Sequence, residues 1–260
     1  AWRRSGHQHT PLLYPFWGNP LDPARVTFQH ALFEHHSFDS AQYHIVDNAD
    51  EADLVLMPYA HNWVLRVMPE FFVECQTSAR RIGKPLLVDG IGDIEHQVPP
   101  DVLVLRYGGY AFERKENEIM IPPYADDLLE LYCGVELQLR QKREKPVVGF
   151  AGWASLTPAQ AARTMLKELP DRLHGIVDSR YRAKKKGVFF RTKAIQILQH
   201  SDKVVCNFLT RSSYSGHGDT HEKDPNVLRK EFVDHLLGRD YGHDIRGDAN
   251  HSTRLFELLP

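Results

Sequence analysis

Short, nearly unbroken apolar runs alternate along this chain with segments of helical length, and that alternation constrains the fold more than any other feature. Leu54–Met57, Leu86–Val88, Val102–Leu105, Ile119–Ile121, Val147–Phe150 and Val204–Leu209 are strand-sized and mostly aliphatic. A strand with one face in water alternates apolar and polar residues; a run without that alternation is expected to be covered on both faces. The intervening segments carry helix punctuation. Pro69–Ile82 has proline in its first turn and ends at Gly83-Lys84-Pro85, and Thr157–Leu169 has Pro158 in its first turn and Pro170 as its stop. Pro23–His36, Lys193–His200 and Val227–Leu237, closed by Gly238, read the same way, while Leu12–Phe16 and Tyr43–Val46 are further short apolar runs. Strands alternating with helices predict an α/β fold built on parallel sheet.

The chain has 260 residues, enough for two modest domains. A polar, charged stretch ending in proline, L-Q-L-R-Q-K-R-E-K-P at Leu137–Pro146, predicts a linker between an N-terminal domain at 1–140 and a C-terminal domain at 141–260. Thirty-two basic against 34 acidic side chains give a net charge of −2. So balanced a chain has no global field for nucleic acid or anionic lipid, and any anion must be held by a local site. No apolar run approaches the roughly 18 residues of a membrane span, and the N-terminal A-W-R-R-S-G-H-Q-H lacks a signal-peptide core. Cys75, Cys133 and Cys206 are odd in number and far apart, which favours a reducing compartment and leaves a trimmed lumenal domain open.

The most informative stretch is Asp240–Leu259, D-Y-G-H-D-I-R-G-D-A-N-H-S-T-R-L-F-E-L-L. It reads as strand, glycine turn, polar cap and helix. Tyr241–Arg246 is the expected strand, Gly247 the turn, Asn250 or Ser252 the cap, and Ser252–Leu259 the helix start. Helix amides beside Arg246 would make an anion site suited to phosphate. Arg254 and Glu257, three apart, share a helix face; they read either as a surface ion pair or as ligand-binding groups.

Glu231-Phe232-Val233, Asp240-Tyr241, Arg246-Gly247, Asn250, Ser252-x-Arg254 and Glu257 together resemble the exostosin-type glycosyltransferases. Val204–Arg211 and Val147–Trp153 are similar to that family's strands, with weaker similarity at Ala52–Pro58 and Gly83–Gly92. The resemblance implies a GT-B architecture, two Rossmann-like domains facing each other across a cleft, with the nucleotide sugar mainly on the C-terminal one. It implies Glu257 on the nucleotide ribose, and Arg246, Gly247, Asn250 and Ser252 around the diphosphate with Arg254 bracing that loop. Arg191 and Arg211, near predicted element ends, are further diphosphate candidates. The sequence departs from the family at His251, where an aromatic is usual, and at Asp248 and Ala249 in the turn. The family continues beyond the position of Pro260 with a further strand and helices, so the second domain is expected to be truncated.

The expected activity is transfer of a sugar from a UDP- or GDP-sugar to a glycan or other hydroxyl, with inversion and no obligatory metal or other cofactor. A carboxylate or histidine at a strand end would take the acceptor proton. Asp89, Asp93, Glu95 and His61 qualify, and Asp93, in V-D-G-I-G-D-I-E, is preferred because two glycines let its loop approach a ligand. The alternatives are a non-catalytic nucleotide- or glycan-binding fragment and a metal-dependent hydrolase using some of the 15 histidines. Gly216 and Gly218 flank His217 in H-G-D-T-H, which argues against a helical zinc pair with His221. The basic run Arg180–Lys186 is expected to be a solvated loop, with an acidic acceptor or membrane surface as its other reading. The expected location is cytoplasmic or peripheral to a membrane, or the Golgi lumen for a trimmed eukaryotic domain.

Overall fold

The computed structural model describes residues 9–20, 39, 41–90, 96–125, 127–136, 139, 141–212, 224–247 and 252–258. The chain divides into two compact units, Ala1–Tyr124 and Ala125–Pro260. Each carries a parallel sheet, which gives the α/β class expected from the apolar runs.

In the first unit, strands β1 (Val55–Leu56), β2 (Leu86–Asp89), β3 (Val102–Arg106) and β4 (Glu118–Met120) lie side by side in sequence order. All neighbours are parallel, with Leu86 opposite Val102 and Val104 opposite Glu118. Every residue of β2 is buried, as its unbroken apolar pattern predicts. Between β1 and β2 run helices α2 (His61–Val67) and α3 (Pro69–Arg81). Phe71, Phe72, Cys75 and Ala79 recur at helical spacing and are the buried face of α3. They meet Met57, Val88, Val102 and Val104 in one core. Cys75 lies wholly inside, and burial pushes its thiol up to about 12.

In the second unit the sheet order is β6-β5-β7, all parallel. β5 (Val147–Trp153) pairs along its whole length with β6 (Val205–Arg211), and at two positions with β7 (Tyr241–Gly242). Asp240 pins the start of β7: its amide donates to the Val147 carbonyl at 2.9 Å, and its Oδ2 accepts from the Val147 amide at 2.7 Å. Helices α5 (Pro158–Lys167), α6 (Leu169–Val177) and α7 (Gly187–Gln199) connect β5 to β6; α8 (Pro225–Leu237) precedes β7, and α9 (Thr253–Leu258) follows it. The shorter α1 (Tyr14–Trp17) and α4 (Leu128–Cys133) lie elsewhere in the chain. Phe150, Ala154, Ile195 and Phe208 pack between sheet and helix.

Several elements differ from expectation. Leu12–Phe16 forms no strand, because Pro11 and Pro15 fix φ in the helical range and give a 3-10 turn running into α1. Tyr43–Val46 is not a strand either; the Tyr43 hydroxyl instead donates to the Leu12 carbonyl at 2.7 Å. The helix expected to stop before Pro170 ends at Lys167, but Pro170 also stands in the first turn of α6, where its missing N–H costs nothing. α7 begins at Gly187, six residues before the expected start. β7 is two residues long rather than six. Ser179–Lys184, within the basic run, is a 3-10 turn. The expected helix Pro23–His36 lies outside the described residues. Among the described residues, no helix is long and apolar enough to cross a membrane.

Candidate functional site

In open parallel sheets, ligands sit outside the carboxyl ends of the strands, where successive connections leave in opposite directions. In the second unit that place is the end of β5, with β6 on one side and β7 on the other. The sequence puts arginine there repeatedly. Arg191, from α7, is buried; its Nε donates to the Ile245 carbonyl at 2.9 Å and its Nη1 to the Trp153 carbonyl at 3.1 Å. It therefore ties the end of β5 to the segment leaving β7. Arg254, from α9, donates through Nη2 to the Ala151 carbonyl at 2.6 Å. The two guanidiniums lie 5.6 and 4.8 Å from the centre of the Phe150 ring, which is wholly buried. Arg211 ends β6 and donates to Glu231 at 3.0 Å.

The electrostatics follow from this crowding. Burial, then the charge of Arg191, lowers Arg254 to about 10, against the opposing pull of Asp244 and Glu257. Its Nη1 is buried and takes no hydrogen bond among the described residues. A desolvated cation without a full set of partners is costly and is relieved by an anion. His243, whose ring meets Phe150 edge-on at 5.8 Å, has its pKa lowered by burial and then by Arg254 and Arg191. His235, held 3.3 Å from Nη1 of the buried Arg239, is lowered by burial and then by Arg239.

Two glycines permit the arrangement. Gly152 has φ +144° and faces Arg254; a Cβ there would lie 3.0 Å from Nη2. Gly187 opens α7 directly beneath the segment after β7, and a Cβ would come within 2.1 Å of the Gly247 carbonyl oxygen. That close approach is the reason α7 starts at a glycine. Arg246 completes the join by donating to the carbonyls of Ala183 and of Lys185, the latter at 2.6 Å. Through Nη2 it braces the approach to α7. Gly247 stands near Arg191, a Cβ built there being 3.6 Å from Nη2. Ser252 donates to Asp244 at 2.7 Å. Glu257 accepts through Oε1 from Arg229 Nη1 at 2.7 Å, both side chains being largely buried. Asn250 lies outside the described residues. α9 spans six residues, so the positive groups that face the strand ends are guanidiniums more than helix amides.

A cavity of about 480 Å³ opens beside the end of β5. Trp153 meets it at the strand end, with Arg163 and Lys167 from α5 and Lys184 and Lys186 from the approach to α7. The Lys186 ammonium stands 4.7 Å over the Trp153 ring. Its single acid, Glu168, is engaged by Arg172 at 2.9 Å and by the Lys186 amide at 2.7 Å. Trp153, Lys186, Arg229 and His243 were not named as site residues from sequence, although Trp153 and Lys186 close stretches that were. Trp153 was legible in principle, as the last residue of a buried strand, and Lys186 as the end of the basic run; Arg229 and His243 carry no local pattern.

In the first unit, Asp89 ends β2 and is buried, accepting from the Thr10 hydroxyl at 2.9 Å. Burial, with Asp89 among the nearby charges, raises the phenols of Tyr107 and Tyr124 well above their ordinary value. His61 is buried and its pKa lowered to about 4, by desolvation and then by His96 and Arg106. Asp93 and Glu95 lie outside the described residues, as do His217 and His221. The flanks of the Asp93 segment are anchored to β3: the Gly90 amide donates to the Leu105 carbonyl at 3.0 Å, and Arg106 Nη2 to the His96 carbonyl at 2.8 Å. Among the described residues, no group of three or more His, Cys, Asp or Glu side chains could hold a metal. No family model, curated protein or solved structure matches the chain.

Proposed function

We propose that this chain is a nucleotide-sugar-dependent glycosyltransferase of the exostosin-like kind, whose C-terminal unit binds a UDP- or GDP-sugar at the carboxyl end of β5. The observation that carries the reading is Arg254: a buried guanidinium with a lowered pKa whose Nη1 has no hydrogen-bond partner among the described residues, crowded by a second guanidinium. A diphosphate is the dianionic group that such a cluster accommodates. As the bond from the anomeric carbon to the diphosphate breaks, negative charge grows on the leaving oxygen, and cations fixed beforehand stabilise it without reorganisation. Arg254 and Arg191 supply that field at the end of β5, and Lys184 and Lys186 from the cavity lining. Glu257, held through Oε1 by Arg229, offers Oε2 to a ribose hydroxyl. The acceptor hydroxyl attacks the anomeric carbon and loses its proton to a carboxylate, for which Asp93 is the candidate from sequence and the buried Asp89 the alternative.

The same cluster favours a second reading, a nucleotide-binding module without turnover. Calorimetry with UDP, GDP and their sugars tests both. Binding that Arg254→Ala and Glu257→Ala weaken supports the site, and release of free nucleotide in the presence of glycan acceptors then separates enzyme from module. Absence of binding by every nucleotide overturns both.

A further inference from the structure

α6 carries an apolar stripe that its own unit does not use. Leu169, Leu173, Ile176 and Val177, together with Leu166 at the end of α5, recur at helical spacing, and their exposures run from 48% to 92%. A soluble surface seldom leaves so continuous an aliphatic face open without a use for it. The opposite face of α6 is occupied. Gly175 is buried against the 3-10 turn Ser179–Lys184, where a Cβ would lie 3.2 Å from the stem of Arg182, and Arg182 Nε donates to the Gly175 carbonyl at 2.9 Å. That turn belongs to the basic run. Between Pro158 and Lys186 the chain has eight Lys and Arg against three Asp and Glu, in a protein whose net charge is −2. Each of the three acids is matched by a cation of the same segment: Glu168 by Arg172, Asp171 by Lys184 and Asp178 by Arg180. The surplus positive charge therefore belongs to the same short segment as the aliphatic face, and the basic run that carries most of it packs against α6 through Arg182 and Gly175.

An apolar face joined to a cationic segment is the arrangement of a helix lying in the plane of a membrane interface, with the aliphatic side chains among the acyl chains and the cations at headgroup level. We propose that α6 and the adjoining basic turn dock this protein on an anionic phospholipid surface. The charge surplus selects that occupant, because a neutral apolar partner would gain nothing from it. The proposal is independent of the glycosyltransferase reading and stands if no nucleotide binds.

Sedimentation of the full chain with vesicles tests it. Binding is expected to vesicles of phosphatidylcholine containing about one-third phosphatidylserine and not to phosphatidylcholine alone, and raised salt is expected to weaken it. The double variant Leu173→Glu/Ile176→Glu is expected to lose binding by about tenfold or more, and Val177→Asp, at the most exposed position, to weaken it in the same direction. Unchanged thermal unfolding of either variant shows that the loss is one of surface and not of fold. Equal binding of wild type and both variants, absence of binding to anionic vesicles, or a wild-type dimer that the variants turn into monomers would overturn the proposal, the last because a second copy would then be what covers the stripe.

Discussion

Arg254 and Ala151 stand 103 residues apart in sequence, yet the guanidinium of one donates to the carbonyl of the other at 2.6 Å. The contact passes over Gly152, whose φ of +144° belongs to a region L side chains rarely adopt. Gly152→Ala is therefore expected to cost about 1–3 kcal/mol of stability from backbone strain, and also to push Nη2 off its carbonyl. Chemical denaturation measures the first effect. The second appears as a loss of nucleotide affinity larger than that of Gly18→Ala, a control that also has positive φ but open space around it.

Removing Arg254 is expected to move stability and binding in opposite directions. In the free protein the guanidinium is desolvated, and Nη1 is without a partner among the described residues. Arg254→Met keeps the packing against Phe150 and Phe232 and removes the buried charge, so thermal stability without ligand is expected to hold or rise. A hydrogen bond to a charged group contributes about 1.5–3 kcal/mol, so nucleotide affinity is expected to fall roughly 10- to 150-fold. Calorimetry and thermal unfolding on the same two proteins check the pair of signs. A variant that loses stability and keeps affinity would make Arg254 a structural residue only.

The strands were legible because their apolar runs are decided locally: every residue of β2 is buried, β3 and β5 hold only buried or half-buried residues, and the sequence carries no apolar–polar alternation there. Pro170 and the start of α7 were less legible for the opposite reason. Proline both ends and starts helices, and here α5 ends at Lys167 while Pro170 stands in the first turn of α6; glycine before a helix looks like loop until another backbone lies on it, as the carbonyls of Arg246 and Gly247 do. The candidate site divides in the same way. Arg191, Arg211 and Arg254 were named from sequence and meet the strand ends, whereas the partners of Arg246 and Glu257 come from the segment before α7 and from α8. Nothing local in the chain announces a carbonyl 61 residues away.

His61 is expected to make the first unit sensitive to mild acid. Its pKa is lowered to about 4 in the folded protein, by burial first and then by His96 and Arg106, whereas the unfolded chain titrates near the ordinary value of 6.5. Between those values the unfolded state binds more protons, so stability rises with pH. The contribution is fully present above about pH 6.5 and is lost as pH falls toward 4, with a full span on the order of 3 kcal/mol. His61→Gln removes the titration, so its stability relative to wild type should be least favourable at neutral pH and improve as pH falls from 6.5 to 4. Urea midpoints at several pH values check this, and a constant difference between the two proteins would contradict it.

Arg106 joins stability to the proposed chemistry. It is buried, pairs with Glu118 at 2.9 Å, and holds the His96 carbonyl at the far flank of the Asp93 segment. At the near flank Gly90 lies so close to β3 that a Cβ would meet Val104 at 2.4 Å. Glu118→Leu strands a buried cation and is expected to cost about 3–5 kcal/mol, while Arg106→Met/Glu118→Leu removes both charges and recovers most of it. The double variant still lacks the bond to His96. If Asp93 takes the acceptor proton, that variant folds and binds nucleotide as wild type does while kcat for sugar transfer falls, since the flank that positions the carboxylate is loose. Glycosyl-transfer assays beside nucleotide calorimetry separate the two properties, and an unchanged kcat in the double variant would remove Arg106 from any positioning role and weaken the case for Asp93 as the base.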